Sequence, residues 1–162
     1  MLLGAGHARA AFSCGVDSLD RYLRERAGQD QRRGAAVCYV LTEADSARVI
    51  GYYTLSATSV RRLTDVPAAL KRRLPRYPDV PATLLGCLAV DQTFQGSGMG
   101  EMLLADALRR VLLLRQELGV AGVVVDAEDE GVIAFYERFD FQRLGAGSKR
   151  LFLPLAAIES AL

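Results

Sequence analysis

The chain has 162 residues, of which 51% are hydrophobic and 24% charged, and its formal net charge is +1. This length fits a single domain over residues 1–162 with a sizeable core, and the near-neutral total excludes a uniformly basic nucleic-acid-binding protein, although separated charged patches can coexist with it. The longest apolar runs are too short to span a bilayer and no basic region precedes the apolar N-terminus, so we expect a cytoplasmic protein with no membrane contact.

The first third of the chain is predicted to form a helix and a hairpin. Residues 17–33 carry apolar side chains at helical spacing, with Asp17 as the expected N-cap. Residues 35–43 and 48–60 are rich in β-branched and aromatic side chains and are joined by a polar turn. This pattern predicts an antiparallel pair of strands.

The rest of the chain alternates helices and strands. Pro67 is expected in the first turn of a short helix that ends at Leu74, and the prolines that follow predict an extended, irregular segment. The later predicted elements are a strand over 83–90, a helix over 98–118, a strand over 122–127, a helix over 130–139 and a strand over 149–153. Their order predicts an α/β (α+β) fold, with a mixed central β-sheet flanked by helices on both faces.

The cysteines and the histidine exclude several kinds of site. Cys14, Cys38 and Cys87 are widely spaced and form no Cys-x-x-Cys pair, which argues against a disulfide framework or a metal site and predicts reduced core residues. The single histidine, His7, lies near the N-terminus. A catalytic Ser-His or Cys-His pair is therefore not expected.

A glycine-rich turn separates the strand over 83–90 from the long helix, with the sequence Gln95-Gly96-Ser97-Gly98-Met99-Gly100. Backbone N–H groups in such a turn can approach an anion closely, and the following helix N-terminus adds partial positive charge. A Walker loop would end in Gly-Lys-Ser/Thr, and a dinucleotide fingerprint would have a third glycine at the position of Glu101. Two interpretations of the glycine-rich segment remain: another kind of phosphate-binding turn, or the start of a helix that packs tightly on a strand.

The pattern Gln-x-x-Gly-x-Gly after a strand ending Leu88-Ala89-Val90 resembles the pyrophosphate loop of the GNAT acetyltransferase superfamily. Downstream, the segment from Phe135 to Phe141 resembles the superfamily's Phe-Tyr-x-x-x-Gly-Phe. Further segments are similar to the TacT-type toxins of type II toxin–antitoxin systems: Phe12-Ser13-Cys14-Gly15, Leu19-Asp20-Arg21-Tyr22-Leu23, Gly51-Tyr52-Tyr53-Thr54-Leu55-Ser56, Pro75-Arg76-Tyr77-Pro78 and Leu88-Ala89-Val90-Asp91. Two departures are Asp140, where the superfamily usually has glycine, and Cys87, where many relatives carry arginine.

The resemblance implies an activity and partners. A TacT-type protein would use acetyl-CoA to acetylate the free α-amine of aminoacyl-tRNA, which blocks translation. It would be neutralised by a small ribbon-helix-helix antitoxin, and it would form a homodimer. Two alternatives stay open: a GNAT enzyme that acetylates a small-molecule or protein amine, and a non-catalytic acyl-CoA-binding or RNA-binding module.

The resemblance also implies roles for particular residues. The strand residues Leu88, Ala89 and Val90 would pair with pantetheine, and the amides of Gln95, Gly96, Ser97, Gly98, Met99 and Gly100 would hold the pyrophosphate. The N–H near Val90 could polarise the thioester carbonyl. Tyr136 would protonate the leaving thiolate; alternatively, it packs beside Phe135 and Phe139. Asp126 or Glu128 could act as a base through water, since no histidine is available for that task.

Charge is segregated along the sequence. Residues 61–76 contain a single acid, Asp65, whereas residues 126–140 contain six acids and the single base Arg138. The basic residues of the first segment are Arg61, Arg62, Lys71, Arg72, Arg73 and Arg76. Such a segment could bind several phosphates and is predicted to contact tRNA, or it could be an ordinary solvated surface.

Overall fold

The computed structural model describes residues 1–62 and 65–162. These residues form two compact units, and β-strands and one helix pass from one unit into the other. The first unit comprises Met1–Ser56 and Gly86–Ala107; the second comprises Ala57–Leu85 and Leu108–Leu162.

The secondary structure is a mixture of short helices and one mixed β-sheet. The helices are α1 (Asp17–Arg21), α2 (Ala27–Arg33), α3 (Ala68–Lys71), α4 (Met99–Leu114), α5 (Glu130–Glu137) and α6 (Leu155–Ala161), with a π-helical turn at Tyr22–Arg26 and a 3-10 turn at Gln92–Phe94. The strands are β1 (Val37–Thr42), β2 (Val49–Arg61), β3 (Asp79–Val90), β4 (Gly122–Asp126), β5 (Gln142–Arg143) and β6 (Arg150–Pro154). The sheet order is β1-β2-β3-β4-β6-β5. The β3–β4 ladder is parallel, and the β1–β2, β4–β6 and β5–β6 ladders are antiparallel, so the sheet is mixed as predicted.

The core of the first unit joins the N-terminal segment to the β1–β2 hairpin. Tyr52 is fully buried; its ring meets that of Phe12 edge-on at 5.5 Å between centroids, and its hydroxyl donates to the carbonyl of Leu19 over 2.7 Å. Leu23 and Ala27 of the helical run are also buried here. The predicted amphipathic pattern of residues 17–33 therefore does face a core.

The second unit has its own core, to which α3, β3, β4 and β6 all contribute. Leu70, Val80, Val124 and Phe152 are buried together in it. At Gly122 a Cβ atom would lie 2.3 Å from the carbonyl oxygen of Leu153, so β4 can pair with β6 at this position only because the residue is glycine.

Several predicted boundaries were wrong. Asp17 is the first residue of α1 rather than its N-cap, a position held by Val16, and Pro67 precedes α3 instead of lying in its first turn. The prolines at 75, 78 and 81 were expected to keep their segment irregular, but β3 begins at Asp79 and includes Pro81. Pro81 can lie in this strand because a proline lacks only the N–H donor, and its carbonyl still accepts a hydrogen bond from the amide of Ala121. In the described part of the chain, no helix is both long and apolar enough to cross a membrane.

Candidate active site

The glycine-rich turn leads from the end of β3 into α4. Gly96 and Gly98 have φ angles of +82° and +83°, a region that side chains strongly disfavour. A Cβ on Gly96 would meet nothing within 4 Å, and one on Gly98 would meet only a carboxylate oxygen of Glu101 at 3.9 Å. These glycines are therefore required by backbone conformation, and the turn keeps an open surface on which backbone amides can reach an anion.

The side chain of Gln95 holds this turn in place. Its amide nitrogen donates to the carbonyl oxygens of Cys14 and Val90, each over 2.8 Å. The first residue of the Gln-x-x-Gly-x-Gly pattern thus ties the turn both to the end of β3 and to the N-terminal segment. Its side-chain nitrogen acts as a structural clamp, which sequence reasoning did not identify.

A second clamp is centred on the buried carboxylate of Asp91. It accepts hydrogen bonds from the amides of Ser13 (3.1 Å) and Thr93 (3.0 Å) and from the Thr93 hydroxyl (2.7 Å), and Arg48 lies 3.6 Å away. Burial by itself would raise the pKa of Asp91, but these hydrogen bonds and the Arg48 charge outweigh it and lower the pKa. The carboxylate therefore stays ionised and fixes the 3-10 turn that precedes the glycines.

The turn borders a cavity of about 270 Å³. Its lining includes most of the predicted pyrophosphate-binding residues: Gln95, Gly96, Gly98, Met99 and Gly100. Val90 also lines it, as do Phe94 and Glu101, which sequence analysis did not single out. Leu88, Ala89 and Ser97 are not among the lining residues, and the Ser97 hydroxyl donates to the carbonyl of Phe94 over 2.6 Å.

The last residues of β3, before the glycine-rich turn, have a strand edge that is suited to pairing with an extended ligand. The parallel ladder of β3 with β4 comprises Thr83–Leu85 with Val123–Val125, so Leu88, Ala89 and Val90 lie beyond its last pair. Cys87 is half-buried on this stretch, and its amide donates to the Thr54 hydroxyl over 3.0 Å. Cys87 packs against the core of the first unit without being fully buried, so the expectation that all three cysteines are core residues holds only in part for Cys87.

The other two cysteines are buried thiols. Burial raises the pKa of Cys14 to about 11 and that of Cys38 to about 12. Because the thiolate is the nucleophilic form, neither thiol is suited to a nucleophilic role.

Tyr136 lies near the end of α5 and is buried. Its ring meets the rings of Phe135 and Phe141 edge-on, each with centroids 5.2 Å apart. The alternative interpretation, packing beside Phe135 and Phe139, is therefore right for Phe135 only: Phe141 is the second ring against Tyr136, and the Phe139 ring packs on Phe135. This packing fixes the position of the Tyr136 ring, as an acid that delivers a proton would also require.

The turn after α5 keeps its form although glycine is replaced. Asp140 has a φ of +69°; its amide donates to the carbonyl of Glu137 over 3.2 Å, and that of Phe141 donates to Tyr136 over 3.3 Å. This pair of bonds around a left-handed residue is a Schellman motif, in which glycine is the usual occupant. Asp140 therefore preserves the turn at a conformational cost.

The acids between residues 126 and 140 are largely engaged within the second unit. Asp126 forms a two-pronged ion pair with Arg150, with N···O distances of 2.8 and 3.1 Å. Glu130 lies 3.0 Å from Arg143, and Asp129 caps α5 by accepting from the amide of Val132. Both oxygens of Asp126 are occupied, so it is poorly arranged to act as a base.

The basic segment surrounds a second cavity, of about 490 Å³. Four of the six predicted phosphate-binding residues line it: Arg62, Lys71, Arg72 and Arg76, together with buried Leu74. Arg61 and Arg73 are exposed but do not line this cavity. In the described ranges, Lys71, Arg72 and Arg76 have no carboxylate within salt-bridge distance, which leaves their charges available to an external anion.

Comparison with known proteins identifies the family. Residues 34–143 match the family model described as an acetyltransferase (GNAT) domain, and the chain belongs to this family of N-acetyltransferases. It is 32% identical to a probable toxin TacT of Sinorhizobium fredii, over 96% of this chain and 90% of that protein. It is 39% identical to a tRNA-acetylating toxin of Mycobacterium tuberculosis, over 82% of this chain and 76% of that one.

Solved structures agree with this assignment. AtaT complexed with acetyl-methionyl-tRNAfMet matches with a TM-score of 0.89 and 28% identity, over 99% of this chain and 96% of that chain. A mutant AtaT toxin bound to the C-terminus of the antitoxin AtaR and acetyl-CoA matches with a TM-score of 0.81 and 28% identity, over 99% and 94% of the two chains. The GNAT fold and the relation to the TacT-type toxins predicted from the sequence are thus confirmed.

Proposed function

We propose that this protein transfers the acetyl group of acetyl-CoA to the α-amine of aminoacyl-tRNA and acts as the translation-blocking toxin of a toxin–antitoxin pair. The cavity lined by Arg62, Lys71, Arg72 and Arg76 carries the substrate assignment, because its cations lack carboxylate partners among the described residues. A small amine would not require such a cluster, whereas a polyphosphate would.

The glycine-rich turn fits the pyrophosphate of acetyl-CoA. Two left-handed glycines expose backbone amides, α4 begins at Met99, and its N-terminal partial charge favours an anion. Val90 and Met99 line the same cavity as the glycines. The amides of residues 95–100 would hold the pyrophosphate, and the edge of Leu88, Ala89 and Val90 would pair with the pantetheine arm.

The chemistry that acetyl-CoA supplies when bound is an activated thioester. We assign the Val90 N–H to the thioester oxygen, where a fixed donor stabilises the charge that develops as the amine attacks. We assign Tyr136 as the acid that gives its phenolic proton to the departing sulfur. The rings of Phe135 and Phe141 against it restrict its orientation, which favours reproducible delivery of that proton.

The acceptor amine needs little help from a base. A lysine amine, with a reference pKa of about 10.4, must be deprotonated before attack, whereas an α-amine near 8 is already substantially neutral at cellular pH. Of the two bases expected from the sequence, Asp126 is held by Arg150 and the side chain of Glu128 is exposed to solvent. The side chains of this chain therefore suit an α-amine better than a lysine.

The relatives guide the remaining assignments. AtaT is bound to the C-terminus of its antitoxin, and we propose that a small ribbon-helix-helix antitoxin neutralises the present chain. The family match over residues 34–143 draws on both compact units, and we propose one acetyltransferase domain over 1–162 that works as a homodimer. Aminoacyl-tRNA is made and used in the cytoplasm, so we place the activity there.

Transfer of label from radiolabelled acetyl-CoA to a pool of aminoacyl-tRNA tests the proposal. We expect label on charged tRNA and none on deacylated tRNA. Tyr136→Phe should lower the turnover by about 10²–10⁴-fold, the usual contribution of a proton donor, while acetyl-CoA binding is retained. Label on free amino acids or small amines at equal rate would overturn the tRNA assignment and leave an acetyltransferase for small amines.

Arginine variants test the substrate surface separately from the chemistry. Arg72→Ala removes a cation of the basic cavity, and Arg109→Ala removes an exposed arginine of α4 that does not line it. We expect the first to raise KM for aminoacyl-tRNA with little change in KM for acetyl-CoA, and the second to change neither. Equal effects of the two variants would contradict a specific role for the cavity.

A further inference from the structure

The segment between α3 and β3 presents an aromatic ring to solvent. Tyr77 is 71% exposed, more than any other exposed large hydrophobic side chain in the described part of the chain. It directly follows Arg76, which lines the basic cavity. An aromatic side chain left in water lacks the hydrophobic gain that burial would give it, so its position next in sequence to a cation of the basic cavity calls for an explanation.

The backbone around Tyr77 is anchored to the fold on both sides. Buried Leu74 and Val80 anchor the chain on either side of it, and the carbonyl of Pro78 accepts from the amide of Arg62 over 2.9 Å. Tyr77 precedes a proline, which restricts its backbone to extended conformations. The ring is therefore attached next to a cavity residue, on a segment that is anchored at both ends.

Cations and an exposed aromatic ring close to them in sequence together fit one chemistry. Arg62, Lys71, Arg72 and Arg76 can neutralise phosphates, and the Tyr77 ring offers a π surface on which a base can stack. A duplex keeps its base faces covered, so only an unpaired nucleotide can use both features. An acidic peptide would engage the cations and leave the ring without a partner.

We propose that Tyr77 stacks on an unpaired base of the RNA whose phosphates lie on the basic cavity. This rests on the proposed function and specifies it further: the cavity takes single-stranded RNA, such as the unpaired 3′ end that carries the amino acid. Tyr77 is then a recognition residue for single strands, and the surrounding cations supply the salt-dependent part of the affinity.

Fluorescence polarisation tests the inference with two labelled probes. One is a single-stranded oligoribonucleotide ending in CCA, and the other is an RNA duplex of equal length whose two ends are closed by non-nucleotide linkers, so that no base face is exposed. Tyr77→Ala should weaken binding of the single strand by about 5- to 100-fold, and Tyr77→Phe by no more than about twofold, because the stacking face is kept. Duplex binding should change by less than about twofold in both variants. Leu113→Ala removes another exposed side chain, 68% exposed, and should change neither.

Salt titrations separate the ring from the charges. Tyr77→Ala should keep the wild-type salt slope, whereas Arg76→Ala should reduce it by about 0.7 for a single strand. Equal weakening of single strand and duplex, wild-type affinity of Tyr77→Ala for the single strand, or no binding of the single strand by the wild-type protein would each overturn the inference. Since these probes carry no amino acid, tyrosine-dependent binding would stand even if transfer to aminoacyl-tRNA were not observed.

Discussion

The turn after α5 allows a quantitative prediction about stability. Asp140 is exposed, has a φ of +69° and completes the Schellman motif with Phe141. A left-handed conformation costs an L-residue about 1–2 kcal/mol, at the lower end for Asp. Glycine adopts this conformation without that cost. It also has more conformational entropy in the unfolded chain, which lowers the free energy of unfolding of the glycine variant by about 0.4–1 kcal/mol. Removing the carboxylate from the C-terminal end of α5 adds a few tenths of a kcal/mol. We therefore expect Asp140→Gly to raise the free energy of unfolding by about 0.3–1 kcal/mol.

Thermal and urea unfolding measure this gain. For a chain of this size, about 0.3–1 kcal/mol corresponds to a rise in Tm of roughly 1–4 °C. Asp140→Asn is the matched control, because it removes the negative charge from the C-terminal end of α5, where the helix dipole disfavours it, and keeps a side chain at the left-handed position. We expect the asparagine variant to recover only a few tenths of a kcal/mol.

Two results would refute this reasoning. If Asp140→Gly were no more stable than the wild type, the cost of the left-handed conformation would not exceed the entropy that glycine adds to the unfolded chain. If Asp140→Asn gave the whole gain, charge rather than backbone conformation would be the cause. Asp45 provides an independent comparison, since its φ is +56° in the turn between β1 and β2 and it has no helix end beside it.

Three further predictions concern the turn that leads into α4. Asp91→Asn should destabilise the protein at neutral pH, as urea unfolding will show. Because the folded pKa of Asp91 is lowered, the difference in the free energy of unfolding between variant and wild type should be full above the unfolded pKa of about 3.9. That difference should shrink as the pH falls through the folded pKa, which unfolding at several pH values will measure. Gly98→Ala should weaken acetyl-CoA binding, measured by calorimetry, because φ is +83°, whereas Gly6→Ala, with nothing within 4 Å, should not. Gln95→Ala loses both 2.8 Å bonds and should cost about 1–3 kcal/mol of stability and raise KM for acetyl-CoA; an unchanged KM would mean that the clamp does not position the turn.

Local patterns made the main elements of the fold predictable. The β-branched run of β2, the helical spacing of α4 and the glycine turn between β3 and α4 are all encoded within a few residues of one another. The π-helical turn at Tyr22–Arg26 could not be foreseen, because its apolar side chains keep nearly helical spacing. β5 has only two residues and owes its conformation to β6, so no pattern marks it.

The glycine motif of the candidate site was predictable from the sequence, but the hydrogen bonds that hold the glycine-rich turn in place were not. Gly96 and Gly98 follow from sequence because their conformation depends on residue type. The Gln95 and Asp91 clamps depend on Cys14, Ser13 and other residues far away in the chain, which only the folded structure brings near. α6 was missed although Pro154 at its N-cap was a readable signal.

The segregated charges of the sequence acquire different meanings in the folded chain. In the acidic segment, Asp126 and Glu130 are matched by Arg150 and Arg143, so much of its charge is cancelled locally. In the basic segment, Arg72 and Arg76 face solvent with no such match among the described residues. A net charge of +1 therefore coexists with one surface whose positive charge remains available. Because uncompensated cations repel one another, their grouping around a single cavity supports the proposal that this surface binds an anionic partner.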